Sequence, residues 1–155
     1  MKCYFASGWF SPNQLDTYKK CEKILNSFSD KNLKVFYPLA ESKDDQTNLD
    51  SKEGRLRIFD RNVTGINDCD FIVISTEDKD MGSLFEAGVA YMKGVPIVYV
   101  NFHLPEGGKF NLMLTESCIA IARSKNQLKQ IVNAIVTSGF DSKILEAYKN
   151  EESAE

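Results

Sequence analysis

The 155 residues carry 19 Lys and Arg against 22 Asp and Glu, a formal charge of −3 and a pI near 5.3, so the sequence has no electrostatic footprint for nucleic acid or another polyanion. The length fits one domain that buries roughly 70% of its unfolded surface, and with no signal-peptide pattern or 18-residue apolar run the chain reads as soluble and unprocessed, with no membrane partner. Cys3, Cys21, Cys69 and Cys118 lie far apart and His103 is the single histidine, which leaves no material for a zinc site and fits a reduced cytoplasmic interior.

Residues 2–6, Lys-Cys-Tyr-Phe-Ala, form a short apolar run ended by Ser7-Gly8, as a first buried strand would, and the turn after it carries Trp9 and Phe10. Ser11-Pro12-Asn13-Gln14 offers an N-cap, a proline at the first helical position and a Gln three residues after the Ser, the parts of a capping box. Leu15, Tyr18, Cys21, Leu25 and Phe28 recur at helical spacing, with Asp16, Lys19, Lys20, Glu22 and Lys23 on the other side, which predicts a helix packed on a sheet. A second strand is read over residues 33–37, stopped by Pro38. Residues 40–52 are polar and aperiodic and read as a long loop, either a lid or a plain surface excursion. Leu56, Phe59, Val63 and Ile66 mark a second helix, Asp68 and Asp70 end structure before a third strand at Phe71–Ser75, and residues 83–93 form a third helix closed by Gly94. A fourth strand follows at 95–100, then a Gly-rich loop at 101–110 and a short helical turn at 112–116 that Asn111 could cap. A fifth strand at 117–122 and an amphipathic helix marked by Leu128, Ile131, Val132, Ile135 and Val136 complete the domain. Residues 1–149 read as one domain and 150–155 as a polar tail.

Strands alternating with helices at this spacing predict an α/β fold, a flavodoxin-like doubly wound parallel sheet of five strands in the order 2-1-3-4-5. Its switch point lies between strands 1 and 3, so the loop at residues 7–10 and the loop at residues 76–82 converge on one crevice. Tyr4 points toward the same crevice. The second loop leads into Asp80-Met-Gly-Ser-Leu-Phe-Glu86-Ala-Gly88. Ser83 and Glu86 have capping-box spacing, so Glu86 could bond back to a backbone N–H; alternatively a helix N-terminus would keep it ionised as a nucleophile. Asp80 reads as a turn residue or a site carboxylate, Gly82 permits close backbone approach, and Gly88 reads as tight packing. Trp9 and Phe10 sit off any periodic face and suit ligand stacking. His103 has no visible Ser, Cys or Asp partner, so a triad is not expected.

In series, Tyr4-Phe-Ala-Ser-Gly8-Trp9-Phe10, Asp80-x-Gly82-x-x-x-Glu86-x-Gly88 and Asn111-Leu-Met113 resemble the nucleoside 2-deoxyribosyltransferase family, in order and spacing, over about residues 3 to 114. The resemblance implies that Glu86 attacks the anomeric carbon of a 2'-deoxynucleoside and that a second base collects the sugar, with net retention and no cofactor. It makes Asp80 the group that binds sugar hydroxyls and Tyr4 the one that orients the nucleophile. Trp9, Phe10, Gly8 and Gly82 become substrate-binding positions, and Asn111 and Met113 reach a neighbouring subunit's site in a homo-oligomer. The bulk of Trp9 and Phe10, where nucleotide-using relatives keep room for a 5'-phosphate, favours a nucleoside over a nucleotide. The partners implied are 2'-deoxynucleosides and free nucleobases, in nucleoside salvage.

The sequence departs from the family at Asn62, where an Asp usually handles the base proton. An amide can hydrogen-bond a base but cannot donate and recover a proton, and Asp60 faces elsewhere on the helix. In the loop at 40–52 only Ser42 or Gln46 offers itself for base contact. Three other functions stay open from these residues: an N-glycoside hydrolase in which water replaces the acceptor base, a nucleoside-binding module without turnover, and, by fold analogy alone, a flavodoxin-like electron carrier.

Overall fold

All five residues of Phe71–Ser75 and all four of Ile97–Val100 are buried, as strands covered on both faces require. The computed structural model describes residues 1–41 and 49–150. Strands β1 (Lys2–Ala6), β2 (Lys34–Phe36), β3 (Phe71–Ser75), β4 (Ile97–Val100) and β5 (Ala120–Ala122) pair entirely in parallel in the order β2-β1-β3-β4-β5. This is the doubly wound, flavodoxin-like sheet the sequence predicts. The helices are α1 (Pro12–Asn26), α2 (Pro38–Glu41), α3 (Lys52–Asp68), α4 (Met81–Met92), α5 (Leu112–Ser117), α6 (Lys125–Ser138) and α7 (Lys143–Asn150).

Side chains alternate across a strand, and that parity divides the core in two. Cys3, Phe5, Phe71, Val73, Val98 and Val100 pack with Tyr18, Cys21 and Leu25 of α1 and with Leu128, Ile131 and Ile135 of α6. Tyr4, Ala6, Ile72, Ile74, Ile97 and Tyr99 face Ile66 of α3 and Ala87 and Ala90 of α4. Tyr4 therefore belongs to the α3/α4 side because it is one residue out of phase with Cys3. At the foot of β1, Asp70 N–H bonds to Lys2 O at 2.8 Å, and Lys2 N–H returns a bond to the Asp70 carboxylate at 2.7 Å.

Several elements differ from the expectation. Helix α1 forms with the predicted capping box: Ser11 Oγ accepts from Gln14 N–H at 3.2 Å and Gln14 Oε1 from Ser11 N–H at 3.3 Å. Yet Leu15 is exposed, and the inward positions are Gln14, Thr17, Tyr18, Cys21 and Leu25. The first turn is rotated because it faces a polar loop, described below. In α3, Leu56 and Phe59 are half exposed while Ile66 is buried, so only the second half of that helix reaches the sheet. Strands 2, 4 and 5 are shorter than predicted because Leu33, Val95 and Ser117 lie outside the ladders. Ser117 ends α5. Residues 38–41, placed at the strand stop and loop, form α2. Helix α7 was not predicted; its Leu145 is buried and its Tyr148 packs against the α1/α6 core, a two-residue stripe too short to read as a periodicity. Ser42, Gln46 and the tail at 151–155 lie outside the described residues.

Candidate functional site

Strand β1 and helix α4 meet through one hydrogen bond: Tyr4 Oη donates to Glu86 Oε1 at 2.7 Å. Asn62 Nδ2, from α3, lies 3.5 Å from the same oxygen. The Tyr4 ring is held on both sides. Phe36 stacks on it at 5.2 Å, and α3 comes so close that a Cβ at Gly65 would stand 3.1 Å from the ring.

Where α4 starts decides what Glu86 can do. The N-cap is Asp80, whose Oδ2 accepts from Ser83 N–H and Ser83 Oγ–H, both at 2.8 Å. The predicted Ser83–Glu86 capping box does not form, since Ser83 lies inside the helix and is itself the capped residue. Met81 being the first helical residue, Glu86 is the sixth, in the second turn and beyond the reach of the helix dipole. Burial then dominates and raises its carboxyl to about 7, opposed by the Tyr4 hydrogen bond and reinforced by the charge of Asp80, with Asn62 adding a smaller pull downward. The expectation that the helix N-terminus holds Glu86 ionised is thus corrected: the group sits near the balance point at neutral pH. Burial and the neighbouring carboxylate push the Tyr4 hydroxyl well above its usual value, so it remains a donor.

The two loops converge as the switch point requires. A Cβ on Gly8 would lie 3.0 Å from Asp80 Cγ and 2.7 Å from the Gln14 side chain, so only glycine lets the turn after β1 pass this close. Gln14 Oε1 ties that turn down by accepting from Phe10 N–H at 2.9 Å. Trp9 and Phe10 form a tilted pair with centroids 5.1 Å apart, Trp9 half-buried and Phe10 78% exposed. Asp78 and Lys79, just before Asp80, are left-handed at φ 52° and 54°, a conformation costing roughly 1–2 kcal/mol per non-glycine residue. Asp78 is anchored to the start of α1 by Ser11 Oγ and by Asn13 Nδ2.

His103 does have acidic partners, contrary to the sequence reading. Its Nδ1 lies 3.2 Å from Glu77 Oε1 and its Nε2 3.1 Å from Asp16 Oδ2. Glu77, 2% exposed, also accepts from Thr17 Oγ1 at 2.8 Å and Phe102 N–H at 2.6 Å, and its carbonyl accepts from Gln14 Nε2 at 3.2 Å. This cluster fastens the loop before Asp80 to α1 and to the segment after β4. The polar residues Gln14 and Thr17 on the α1 inner face were its one sequence signal.

Beside Glu86 a groove of about 270 Å³ opens between α3 and α4, lined among others by Arg55, Phe59, Asn62, Gly82 and Phe85. Its walls come from the two helices and from Leu49 just before α3, and not from the Trp9–Phe10 turn. Asn62 Oδ1 is buried with no hydrogen-bond partner among the described residues. Asn111 caps α5, accepting from Met113 N–H at 3.0 Å and Leu114 N–H at 3.4 Å. Met113, 75% exposed, lies on the other flank of α4 in a cavity shared with Gly88, Tyr91 and Tyr99. A Cβ on Gly88 would meet nothing within 4 Å, so tight packing is not the reason for that glycine. The single chain brings together Tyr4, Asn62 and Glu86, and separately Gly8, Asp80 and Gly82; Asn111 and Met113 stand apart on the surface.

The family model described as nucleoside 2-deoxyribosyltransferase matches residues 3–113. Among solved structures, the 2-deoxyribosyltransferase of the psychrotolerant bacterium Bacillus psychrosaccharolyticus is similar at TM-score 0.69 and 27% identity, covering 83% of this chain and 90% of that one. A conserved protein from Enterococcus faecalis V583 gives 0.56 at 18% identity over 84% and 87%. The Clostridium botulinum CMP N-glycosidase gives 0.56 at 13% over 86% and 98%; these last two share the fold alone. No curated protein matches the chain.

Proposed function

The chain belongs to the nucleoside 2-deoxyribosyltransferase family, and from that premise we propose that it exchanges the base of 2'-deoxynucleosides through a covalent deoxyribosyl-Glu86 intermediate. The observation that carries this reading is the 2.7 Å hydrogen bond from Tyr4 to a Glu86 carboxylate that has no capping duty. Ionised Glu86 attacks the anomeric carbon as the bond to the base breaks; the electron pair goes to the base nitrogen, which takes up a proton. The nitrogen of a second base then attacks the same carbon, the ester to Glu86 breaks, and the incoming N–H loses its proton. Two inversions give net retention, as in retaining glycosidases. Tyr4 fixes the attacking carboxylate, and Asp80 accepts hydrogen bonds from sugar hydroxyls at the Gly8 and Gly82 approach. Trp9 and Phe10 cover the sugar, and Asn62 contacts the base. Asn111 and Met113, exposed on one copy, complete the site of a second copy in a homo-oligomer.

The reactive form is the carboxylate, so kcat/KM rises with pH through an apparent value near 7. The deciding experiment incubates the protein with deoxyinosine, with and without adenine or cytosine, beside Glu86→Ala. New deoxynucleoside that forms only with acceptor base and is absent from the variant supports transfer. Free deoxyribose in both conditions makes the enzyme a hydrolase, and tight binding without turnover makes it a binding module.

A further inference from the structure

The groove between α3 and α4 has features that select among bases. Its volume, about 270 Å³, is just under the roughly 300–1,000 Å³ of sites that enclose whole small-molecule ligands, which suits a heterocycle with its sugar outside. Arg55, Phe59 and Asn62 share one face of α3 at i, i+4 and i+7, opposite Phe85 and Glu86 of α4. Phe59 and Phe85 form an aromatic flank with centroids 5.9 Å apart. At the inner end stands Glu86, with the unpartnered Asn62 Oδ1 beside it. At the outer end stands Arg55, held by a 2.9 Å bond from Nη1 to Leu49 O. Arg55 and Asn62 stand seven positions apart on α3, about 10 Å of helix rise, so they mark the outer and inner ends of a groove long enough for a heterocycle.

We propose that Arg55 sets base preference in the groove beside Glu86, favouring bases with a carbonyl at the edge remote from the sugar over bases with an amino group there. The proposal rests on the transferase reading above. With the anomeric carbon at Glu86, the atom farthest from the glycosidic bond is the substituent on C4 of a pyrimidine or C6 of a purine. A guanidinium has donors only. It donates to an oxo group there and opposes an amino group, whose hydrogens point at its own. Asn62, which lines the inner end, lies near the sugar edge common to both classes and makes no distinction between them.

The test compares kcat/KM for deoxyuridine against deoxycytidine and deoxyinosine against deoxyadenosine, pairs that differ in this substituent, in the wild type, Arg55→Gln and Arg55→Ala. Because Arg55 is solvent-exposed, one charge-assisted hydrogen bond gives a preference on the order of tenfold for the oxo member of each pair. That ratio falls to within about threefold in both variants. An amino preference in the wild type, or an oxo preference that survives in both variants, overturns the proposal. Calorimetric titration of free uracil and cytosine into the wild type and Arg55→Gln supplies the same ratio without turnover. If no deoxynucleoside reacts but uracil still binds more tightly in an Arg55-dependent way, the transferase reading fails and the base assignment stands; equal binding of the two bases overturns the assignment.

Discussion

Replacing Glu86 by Gln should make the protein more stable as pH rises while removing its turnover. Burial lifts the carboxyl from 4.5 to about 7, so the fold favours the neutral form. The stability this contributes is complete below pH 4.5 and is lost as pH rises through about 7, because the folded chain must then hold a buried charge that the unfolded chain holds in water. At 1.36 kcal/mol per pH unit the whole displacement amounts to about 3 kcal/mol. Between pH 5 and pH 8 the part that changes is about 2 kcal/mol after allowance for the residual exposure of the side chain. Gln is neutral throughout and its Oε1 still accepts from Tyr4. Urea unfolding of both proteins at one fixed concentration, at pH 5 and pH 8, should therefore show the variant gaining about 2 kcal/mol on the wild type across that interval, equivalent to roughly 4–8 °C in Tm for a chain of this size. A gap that does not change with pH, or one that moves in favour of the wild type, would refute burial as the cause of the raised value.

Tyr4→Phe removes the hydrogen bond that holds Glu86 and lowers its carboxyl; kcat should drop about tenfold or more, and the acid limb of kcat/KM should move to higher pH, whereas an unmoved limb would detach Tyr4 from the nucleophile. Gly8→Ala drives a methyl to 2.7 Å from Gln14 and 3.0 Å from Asp80 Cγ; a loss of about 1–3 kcal/mol in denaturant unfolding is expected, and full stability would mean the two loops do not approach as described. Mixing inactive Glu86→Ala with inactive Asn111→Ala protein should restore activity through hybrid sites if Asn111 serves a neighbouring copy, and additive inactivity across all mixing ratios would place Asn111 in a merely capping role.

The sheet was legible because its strands are short apolar runs bounded by turn residues; the parallel sense followed from helix and strand alternation, and the order 2-1-3-4-5 from five strands fitting a flavodoxin-like fold. Helix ends were less so. The sequence pattern starts the helix at Ser83 and makes Asp80 a turn residue or site carboxylate, whereas Asp80 is the N-cap; both residue types cap helices, and pattern alone has no way to rank a carboxylate against a hydroxyl three residues apart. The polar cluster around Glu77 left only the faint trace of Gln14 and Thr17 on the inner face of α1, because Asp16, Thr17, Glu77 and His103 come from three separate segments and only the fold brings them together. Helix α7 escaped because two inward residues over eight do not make a period.

Which of Asp80 and Ser83 caps the helix decides the surroundings of Glu86. Had the helix begun at Ser83, Glu86 would have been its third residue, bonded back to the backbone and kept ionised by the terminal dipole. Beginning at Met81 puts nearly a full turn more of helix ahead of Glu86 and withdraws it from both influences; it faces Tyr4, whose own orientation depends on being one residue out of phase with Cys3. The cap that displaces it is Asp80, so the same carboxylate that fixes the helix start also stands over the site and, by its charge, helps to raise the Glu86 carboxyl. For the nucleophile proposed above, a carboxyl near 7 is a compromise between the ionised fraction needed at neutral pH and the reactivity that comes from a poorly solvated anion. In this chain burial dominates that balance, and the Tyr4 hydrogen bond opposes it.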